Sequence, residues 1–508
     1  MTLLDLLSGR DDASPAIAAV EGGVLTSAAL RAEIGRHAEA IARCGVRPGD
    51  AIALVAPNGP EALVATLAAA DAACVAPLNP AFTEAEFRFY LEDLGARAVV
   101  VAGEWGAVAA RAAVACDLPV LTLRPAAAGP GIFHLECPAG QPSRTARDPG
   151  HAPGTALLLH TSGTTSRPKL VALGRESLCR SARAIAASLR LGPADVCLNV
   201  MPLFHVHGLI GAALSSLAAG GAVCCAPGFN PHRFLRWLET SGATWYTAVP
   251  TIHQAVVARA SSASATPPHV RRPLRFVRSC SSPLPMSVRE ALAAAFEVPV
   301  INAYGMTEAT HQVSCTPFPP AGNGPGCRRG VGLSTGPDVR VLGPNGEWLP
   351  AGEPGEIALR GATVITAYER PEEANRTSFH EGWLRTGDEG VIDGEGGISL
   401  TGRLKELINS GGEKISPYEI EDVLLRCPGV SEAVCFAVPH RSRGEAVGAA
   451  VVLGQDGAAD EKALRRFAAR QLAAFKVPER ILLLDRLPKG PTGKLQRIGL
   501  AARLGIEN

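Results

Sequence analysis

Hydrophobic and polar residues alternate in blocks along the first 120 residues, and these blocks predict a stack of strands and helices. Short apolar runs, at Ala51 to Val55 and at Ala98 to Val101, stand beside helical, alanine-rich stretches such as Glu61 to Asp71. Strands that alternate with helices in this way form βα units. The pattern therefore predicts an α/β fold with a parallel sheet.

Two irregular segments interrupt this pattern. Residues 125 to 154 hold several prolines and glycines without periodicity and predict a surface excursion before a strand at Ala156 to Leu159. A proline-rich basic cluster near residues 266 to 273 predicts a loop before a strand at Leu274 to Val277. The uncharged stretch Gly208 to Phe229 is rich in small residues, so a buried helix followed by a strand is preferred to a membrane span.

The last third of the chain has a different sequence pattern. From about residue 330 to 402, short strands separated by Gly, Pro and Asn predict a small β-rich subdomain. A boundary near Gly402 then leads into a compact α+β unit. The predicted organisation is a large N-terminal domain of residues 1–402, which includes the β-rich subdomain, and a small C-terminal domain of residues 403–508.

The first helix of the predicted C-terminal domain has a clear start signal. Ser416 and Glu419 have the spacing of a capping box, and Pro417 stands at the first helical position. The residues after this signal place three apolar side chains on one helical face: Ile420, Val423 and Leu424.

Composition and charge exclude several classes of protein. The 508 residues carry 49 Lys and Arg against 48 Asp and Glu, so there is no excess positive charge to bind nucleic acid or anionic lipid. The 13 cysteines are odd in number and form no C-x-x-C pair, which predicts neither a zinc ribbon nor a disulfide framework. No signal peptide is predicted at the N-terminus, and a reducing cytoplasm fits best. The sequence leaves a homo-oligomer open.

One loop has the composition of a phosphate-binding segment. HTSGTTSRPK follows a predicted strand directly, and its hydroxyls and backbone N–H groups could wrap a polyphosphate while a lysine adds charge. It lacks the G-x-x-x-x-G-K-[ST] pattern of a Walker A loop, and on its own it could also be a polar surface turn. The candidate residues are Thr161, Ser162, Gly163, Thr164, Thr165 and Lys169.

Three further segments follow in order: NAYGMTEAT at 302–310, WLRTGD at 383–388 with TGRLKELINSGGEKISPYEIE at 401–421, and LPKGPTGKLQR at 487–497. With the phosphate loop they resemble the adenylate-forming superfamily of acyl-CoA synthetases, luciferases and nonribosomal adenylation domains, over essentially the whole chain. The resemblance implies a large N-terminal domain, a hinge and a small mobile C-terminal domain. It also implies an ATP-dependent, Mg²⁺-dependent acid–CoA ligase, which forms an acyl-adenylate and then a thioester with coenzyme A.

The resemblance implies roles for residues at the nucleotide. Glu308 would hold Mg²⁺ and Thr307 would donate to the α-phosphate, which fits the charge that builds on phosphate oxygens during attack. Tyr304 offers a flat face for adenine, and Asp388 is suited to accept from the ribose hydroxyls with Arg403 nearby. Taken singly, each could be an ordinary turn, core or surface residue. Ser282 joins the same implied nucleotide-binding set.

The resemblance also implies two catalytic faces on the C-terminal domain. Lys494 matches the lysine that bridges the substrate carboxylate and the α-phosphate. The GGEK loop, with Gly411, Gly412 and Lys414, would line the coenzyme A channel after a rotation about a hinge at Lys405. A thiol with an ordinary pKa is already a few per cent thiolate near pH 7, so the second step needs no dedicated base.

The acid-binding side resembles one group within the superfamily. PLFHVHGLI, ATWYTAVPTIHQ, RFVRSCSSPLP and AYGMTEATHQVS look most like the oxalate–CoA ligases. His205 matches the gate between acyl pocket and thiol channel, and an alternative metal site with His207 lacks a third ligand at a familiar spacing. The implied acyl pocket is polar and could pair with the second carboxylate of a very small diacid. Its residues are Arg278, Ser279, Ser281 and His311.

Three alternatives remain open from the sequence. The acid could instead be another small one, such as malonate or acetate. The acceptor could be a carrier-protein thiol, although the chain has no visible carrier domain. The chain could also be a nucleotide-binding protein that has lost catalysis, but Glu308 and Lys494 are both present.

Overall fold

The first part of the chain folds into the βα units that its pattern predicts. The computed structural model describes residues 3–137, 150–161, 168–262, 274–318, 330–410, 413–441, 443–454, 457–488 and 497–506. The elements up to residue 174 are β1 (Pro15–Ala19), β2 (Val24–Thr26), α1 (Ser27–Arg43), β3 (Ala51–Val55), α2 (Pro60–Ala72), β4 (Cys74–Pro77), α3 (Glu84–Asp93), β5 (Ala96–Ala102), α4 (Ala107–Ala115), β6 (Val120–Pro125), β7 (Phe133–Glu136), β8 (Thr155–Thr161) and β9 (Lys169–Gly174).

Seven of these strands form one sheet in the order β7-β6-β5-β3-β4-β8-β9. The central pairs are parallel, and the two outer pairs, β6 with β7 and β8 with β9, are antiparallel. All five residues of β3 are buried, as expected for a strand covered on both faces. The parallel sheet is confirmed. Strand β7 was not predicted, because it is a four-residue edge strand inside a segment rich in proline and glycine.

The middle of the chain forms a second, mostly parallel sheet. Its order is β16-β15-β14-β13-β12-β10-β11-β1-β2. The elements are α5 (Arg175–Ser188), β10 (Val196–Asn199), a π-helix (His207–Leu214), α6 (Ser215–Ala218), β11 (Ala222–Cys225), α7 (Phe234–Thr240), β12 (Trp245–Ala248), α8 (Pro250–Ser262), β13 (Phe276–Ser279), α9 (Met286–Phe296), β14 (Val300–Met306), β15 (His311–Cys315) and β16 (Leu333–Ser334).

The uncharged stretch from Gly208 to Phe229 is a helix followed by strand β11, as predicted, although its first part is a π-helix. No helix among the described residues has the length and apolar character needed to cross a membrane. Strand β13 begins two residues later than predicted. The loop predicted near residues 266 to 273 falls outside the described ranges, which resume at residue 274.

Two further sheets complete the chain. The third has the order β17-β18-β20-β19, with β21 paired to β20. The fourth has the order β23-β22-β25-β24, with β26 paired to β25. Their elements are β17 (Asp338–Leu342), β18 (Gly355–Arg360), α10 (Asn375–Ser378), β19 (Phe379–His380), β20 (Trp383–Ile392), β21 (Ile398–Arg403), β22 (Ile408–Ser410), β23 (Glu413–Ile415), α11 (Pro417–Leu424), β24 (Val430–His440), β25 (Gly444–Leu453), α12 (Glu461–Ala469), β26 (Arg480–Leu483) and α13 (Leu500–Arg503).

The start of α11 differs from its prediction. Pro417 does stand at the first helical position, but the predicted capping box is wrong. The Ser416 hydroxyl donates to the carbonyl oxygen of Thr401, and Glu419 pairs with Lys476. Both side chains are therefore used to join α11 to other parts of the chain. The predicted apolar face is buried: Ile420, Val423 and Leu424.

The cysteine prediction also needs correction. Cys44, at the C-terminal end of α1, and Cys137, just after β7, form a disulfide. The two residues are 93 positions apart, so no local spacing signals the pair. The other cysteines of the described ranges form no disulfide there, and most of them are buried.

Candidate active site

Polar side chains meet at the carboxyl ends of β12 and β13 in the second sheet. Thr247 and Arg278 are register partners in these neighbouring parallel strands. Ser279 is the last residue of β13, and Ser281 follows two residues later. In open α/β sheets, ligands bind outside the carboxyl ends of the strands. The predicted acyl-pocket residues therefore lie where such a sheet places a ligand.

The Arg278 guanidinium is fully buried and contacts only neutral acceptors. It donates to Thr247 Oγ1 at 3.1 Å, to Gln312 Oε1 at 2.8 Å and to His311 Nε2 at 3.2 Å. Within the described ranges, no Asp or Glu side chain forms an ion pair with it. A buried charge without a counterion costs several kcal/mol. The cluster is therefore electropositive and suited to an anionic ligand.

Donor accounting orients the hydrogen bonds of this cluster. Arginine can only donate, so His311 Nε2 must accept and the ring carries its proton on Nδ1. Thr247 Oγ1 also accepts from Arg278, and its hydroxyl can donate its own proton to His207 Nε2, 2.7 Å away. In that tautomer of His207, Nδ1–H donates to Ser281 Oγ at 3.0 Å. This donor chain begins at a cation and leaves the Ser281 hydroxyl proton available to a ligand.

Backbone strain is concentrated at the same place. Ser281, Thr310 and His311 have φ values of 74°, 51° and 91°, in the left-handed region that non-glycine residues rarely adopt. Such residues cost about 1–3 kcal/mol each and cluster at functional sites. Gly211 of the π-helix packs against the His311 ring, and a Cβ at this glycine would collide with the imidazole. A π-helix is itself frequent at functional sites.

A second cluster surrounds Lys169 and Glu308. Lys169 Nζ donates to Ser378 Oγ at 3.1 Å and lies 4.2 Å from the centre of the Tyr368 ring. The Tyr368 hydroxyl donates to the buried Glu308 carboxylate at 2.8 Å. Burial lowers the pKa of Lys169, Glu308 opposes this shift, and the charge of Lys405 lowers the pKa further. The cluster thus brings together Lys169, Glu308 and the predicted hinge residue.

A third cluster holds the residues predicted for adenine and ribose. Asp388 and Arg403 are register partners in β20 and β21, and their side chains form an ion pair at 2.9 Å. The buried Tyr304 hydroxyl donates to the second carboxylate oxygen of Asp388 at 2.6 Å. The attraction of Asp388 raises the pKa of Arg403. A carboxylate offers about four lone-pair positions, so Asp388 can still accept from ribose hydroxyls.

The remaining predicted residues lie near these clusters or outside the described ranges. Thr161 ends β8 and pairs with Lys169, Thr307 opens the short turn that carries Glu308, and the Ser282 hydroxyl donates to the Ser281 carbonyl at 2.8 Å. His205 is half-buried, with its ring 4.8 Å from that of Phe204. The backbone of Lys414 lies in β23. Outside the described ranges lie Ser162, Gly163, Thr164, Thr165, Gly411, Gly412 and Lys494.

Sequence reasoning missed five residues of these clusters. Thr247, Gln312, Tyr368 and Ser378 were not singled out, and His207 was considered only as a metal ligand beside His205. Among the described residues no three His, Cys, Asp or Glu side chains group as a metal site. Thr247 and Gln312 lie in segments that resemble the oxalate–CoA ligases, but only the fold reveals that they contact Arg278.

The chain is similar to known proteins over most of its length. Residues 10–369 match the model of the AMP-binding enzyme family, and residues 419–494 match that of the AMP-binding enzyme C-terminal domain. The oxalate–CoA ligase of Arabidopsis thaliana is 41% identical over 93% of this chain and 92% of its own length. The oxalate–CoA ligase of Saccharomyces cerevisiae is 38% identical over 88% of this chain and 86% of its own length.

The fold is also shared with a solved structure. The crystal structure of ATP-bound MatB from Rhodopseudomonas palustris is 28% identical and has a TM-score of 0.84. The match covers 99% of this chain and 98% of that one. The similarity therefore extends through both the large N-terminal and the small C-terminal parts.

Proposed function

This chain belongs to the AMP-binding enzyme family, and from that premise we propose that it is an ATP-dependent acid–CoA ligase whose acid is oxalate. In the first step, a carboxylate oxygen of the acid attacks the α-phosphorus of ATP and pyrophosphate leaves. In the second, the thiol of coenzyme A loses its proton and attacks the acyl carbon, and AMP leaves. Oxalyl-CoA, AMP and pyrophosphate are the products.

The buried guanidinium of Arg278 is the observation that favours oxalate as the acid. Its three side-chain partners are neutral, so a ligand with a second carboxylate would supply the missing counterion. The Ser281 hydroxyl, at the end of the donor chain, would donate to the same group. Oxalate is small enough to leave its other carboxylate free to react. The two oxalate–CoA ligases among the relatives support this choice.

The other two clusters fit ATP. Mg²⁺ is usually held in proteins by one or two carboxylates together with substrate phosphates, and the buried Glu308 suits that pattern. The ion would neutralise charge on the phosphate oxygens. Lys169 lies close enough to Glu308 for their charges to interact, and it would bind the same phosphates. Asp388 would accept from the ribose hydroxyls beside Tyr304 and Arg403.

We further propose that the C-terminal domain, residues 403–508, serves the two steps with two faces. Lys494 would act in adenylate formation. Gly411, Gly412 and Lys414 would line the coenzyme A channel after rotation at Lys405, with His205 as the gate. Strand β21 ends at Arg403 and β22 begins at Ile408, so Lys405 lies in the short connection between the third and fourth sheets.

The experiment that tests the reaction is release of AMP and pyrophosphate with Mg-ATP and coenzyme A. Oxalate, malonate, acetate, glyoxylate, a medium-chain fatty acid and a cinnamate are compared at equal concentration. We expect release that requires coenzyme A and is largest with oxalate. Release with another acid would keep the adenylation chemistry and remove oxalate. No release with any acid would favour a carrier-protein acceptor or an inactive nucleotide binder.

The two-face proposal has its own test. Lys494→Ala should abolish adenylate formation but leave conversion of supplied acyl-AMP to acyl-CoA largely intact. Both half-reactions are measured separately on the same preparation. Equal loss of the two half-reactions would contradict the two-face proposal.

A further inference from the structure

Among the three side chains that contact Arg278, Gln312 is the one that a carboxylate residue, glutamate, could replace with the least change of shape. Its side chain is almost fully buried in β15, and its Oε1 accepts from Arg278 at 2.8 Å. A glutamate at this position would have nearly the same shape and would form a buried ion pair with the guanidinium. The chain instead has an amide here, although a buried arginine is ordinarily paired with an acid.

Neighbouring hydroxyls fix the amide in this orientation. Gln312 Nε2 donates to Ser188 Oγ at 3.0 Å and to Thr335 Oγ1 at 3.1 Å. These hydroxyls donate in turn to the carbonyl oxygens of Ile185 at 2.9 Å and Val313 at 3.3 Å. The carbonyl end of the amide therefore faces Arg278. Every donor and acceptor of the Gln312 amide has a partner, yet no Asp or Glu in the described part of the chain pairs with the positive charge beside it.

We infer that Gln312 is a specificity-determining and positioning residue, which holds the Arg278 guanidinium while leaving its charge for the acid. The neutral amide thereby selects acids whose tail is anionic over acids of similar size whose tail is neutral. This inference rests on the proposed acid–CoA ligase activity, and it extends to any acid with a second negative charge. A carboxylate at position 312 would take the place of the substrate's second carboxylate.

The test is a change of preference between two acid classes. Wild type, Gln312→Glu and Gln312→Met are assayed by AMP release with Mg-ATP and coenzyme A. Oxalate, malonate and sulfoacetate have anionic tails, while acetate, glycolate and glyoxylate have neutral ones. Gln312→Met is the matched control, because it has similar length and removes the hydrogen bonds without adding a charge. The KM for ATP and the thermal unfolding midpoint are measured for each protein.

The acid preference is defined as kcat/KM for the best anionic-tailed acid divided by kcat/KM for the best neutral-tailed acid. We expect Gln312→Glu to lower this ratio at least tenfold, mainly because the KM for the anionic acid rises. The KM for ATP should stay within about twofold. Gln312→Met should raise KM for the anionic acid but keep the wild-type order of the two classes. Ser188 and Thr335 can rotate their hydroxyls to donate to a carboxylate, so Gln312→Glu should fold.

Three results would overturn the inference. The first is an unchanged ratio in a folded Gln312→Glu protein, and the second is an equal fall of the ratio in Gln312→Met. The third is a wild type that prefers neutral-tailed acids. If wild type instead prefers malonate or sulfoacetate to oxalate, the proposed choice of oxalate fails. In that case the ratio of kcat/KM for anionic-tailed and neutral-tailed acids still decides whether the inference about Gln312 holds. If Gln312→Glu does not fold, Gln312→Met decides, and loss of the anionic preference in that protein contradicts the inference.

Discussion

The two buried arginines Arg278 and Arg497 have opposite surroundings. Arg497 pairs with Glu421 at 2.7 Å and with Glu406 at 3.2 Å, and its guanidinium lies 4.3 Å from the centre of the Tyr418 ring. Burial disfavours its charge, but the combined attraction of Glu421, Tyr418 and Glu406 outweighs burial and raises the pKa of Arg497. Arg278 is buried even more completely and contacts one hydroxyl, one amide and one imidazole.

The difference separates a structural role from a binding role. The fold supplies the counterions of Arg497, so its charge is used to join α11 to the segment that precedes α13. The described fold supplies no counterion for Arg278, so its charge remains available to an anion from solution. Ser281, Thr310 and His311, which lie close to Arg278, have left-handed backbone conformations. The two sites should therefore respond in opposite ways to the same substitution.

The largest effect on stability is expected at Arg497. Arg497→Met leaves Glu421 and Glu406 without their partner in a buried site, and breaking such a pair costs about 3–5 kcal/mol. Urea denaturation should report this loss for the C-terminal sheet. The KM for oxalate should be unchanged in the folded protein. An Arg497→Met protein of wild-type stability would contradict the structural role.

The largest effect on function is expected at Arg278. Arg278→Met should lower kcat/KM for oxalate about 100- to 1000-fold, because removing one partner of a buried charge pair costs about 2–5 kcal/mol and each tenfold in rate corresponds to about 1.4 kcal/mol. Stability should not fall, since the described fold gives Arg278 no ion pair to lose.

Arg275→Met is the matched control. Arg275 directly precedes β13, the strand that carries Arg278, but it pairs with Asp195. It should leave oxalate kinetics near wild type. Similar losses of activity in both variants would remove the special role of Arg278.

A smaller effect is expected at His311, which accepts from Arg278 and belongs to the proposed acyl pocket. His311→Ala should raise the KM for oxalate about tenfold, in line with about 1.5 kcal/mol for a hydrogen bond to a charged group, and should raise the KM for ATP less. His311→Asn is a useful companion, because Asn tolerates positive φ better than Ala. An unchanged oxalate KM in both variants would exclude His311 from the pocket.

The smallest effect on the KM for oxalate is expected at Thr247, because this residue only links Arg278 to His207 in the donor chain. Thr247→Val keeps the shape but removes the hydroxyl that links Arg278 to His207, and should raise the KM for oxalate about three- to tenfold. Thr247→Ser retains the hydroxyl and should restore the wild-type value. If Thr247→Ser is as poor as Thr247→Val, the effect comes from packing and not from the donor chain.

The sequence predicts more of the fold than of the acid pocket. Periodic segments such as β3, and the α11 face with Ile420 and Leu424, follow directly from the spacing of apolar residues. The disulfide of Cys44 and Cys137 and the strand β7 depend on which distant segments meet, and no local pattern specifies that.

The same distinction holds within the candidate site. Arg278, His311 and Ser281 were found through motifs, since each lies in a segment that resembles a known group. Gln312 and Thr247 are ordinary polar residues in strands, and a strand pattern does not tell which neighbours they face. Their importance follows from the register of β12 with β13 and from the contacts of β15 with Arg278. Nor does a sequence pattern indicate that Arg278 pairs with no Asp or Glu among the described residues.

The most direct test is a crystal structure of the protein with oxalate and a non-hydrolysable ATP analogue. The account predicts one oxalate carboxylate within hydrogen-bonding distance of the Ser281 hydroxyl and at about 3 Å from the Arg278 guanidinium, with the other carboxylate facing the α-phosphate. An oxalate whose second carboxylate lies instead on Lys169 or Arg403, with Arg278 still bound only to Thr247, Gln312 and His311, would contradict it.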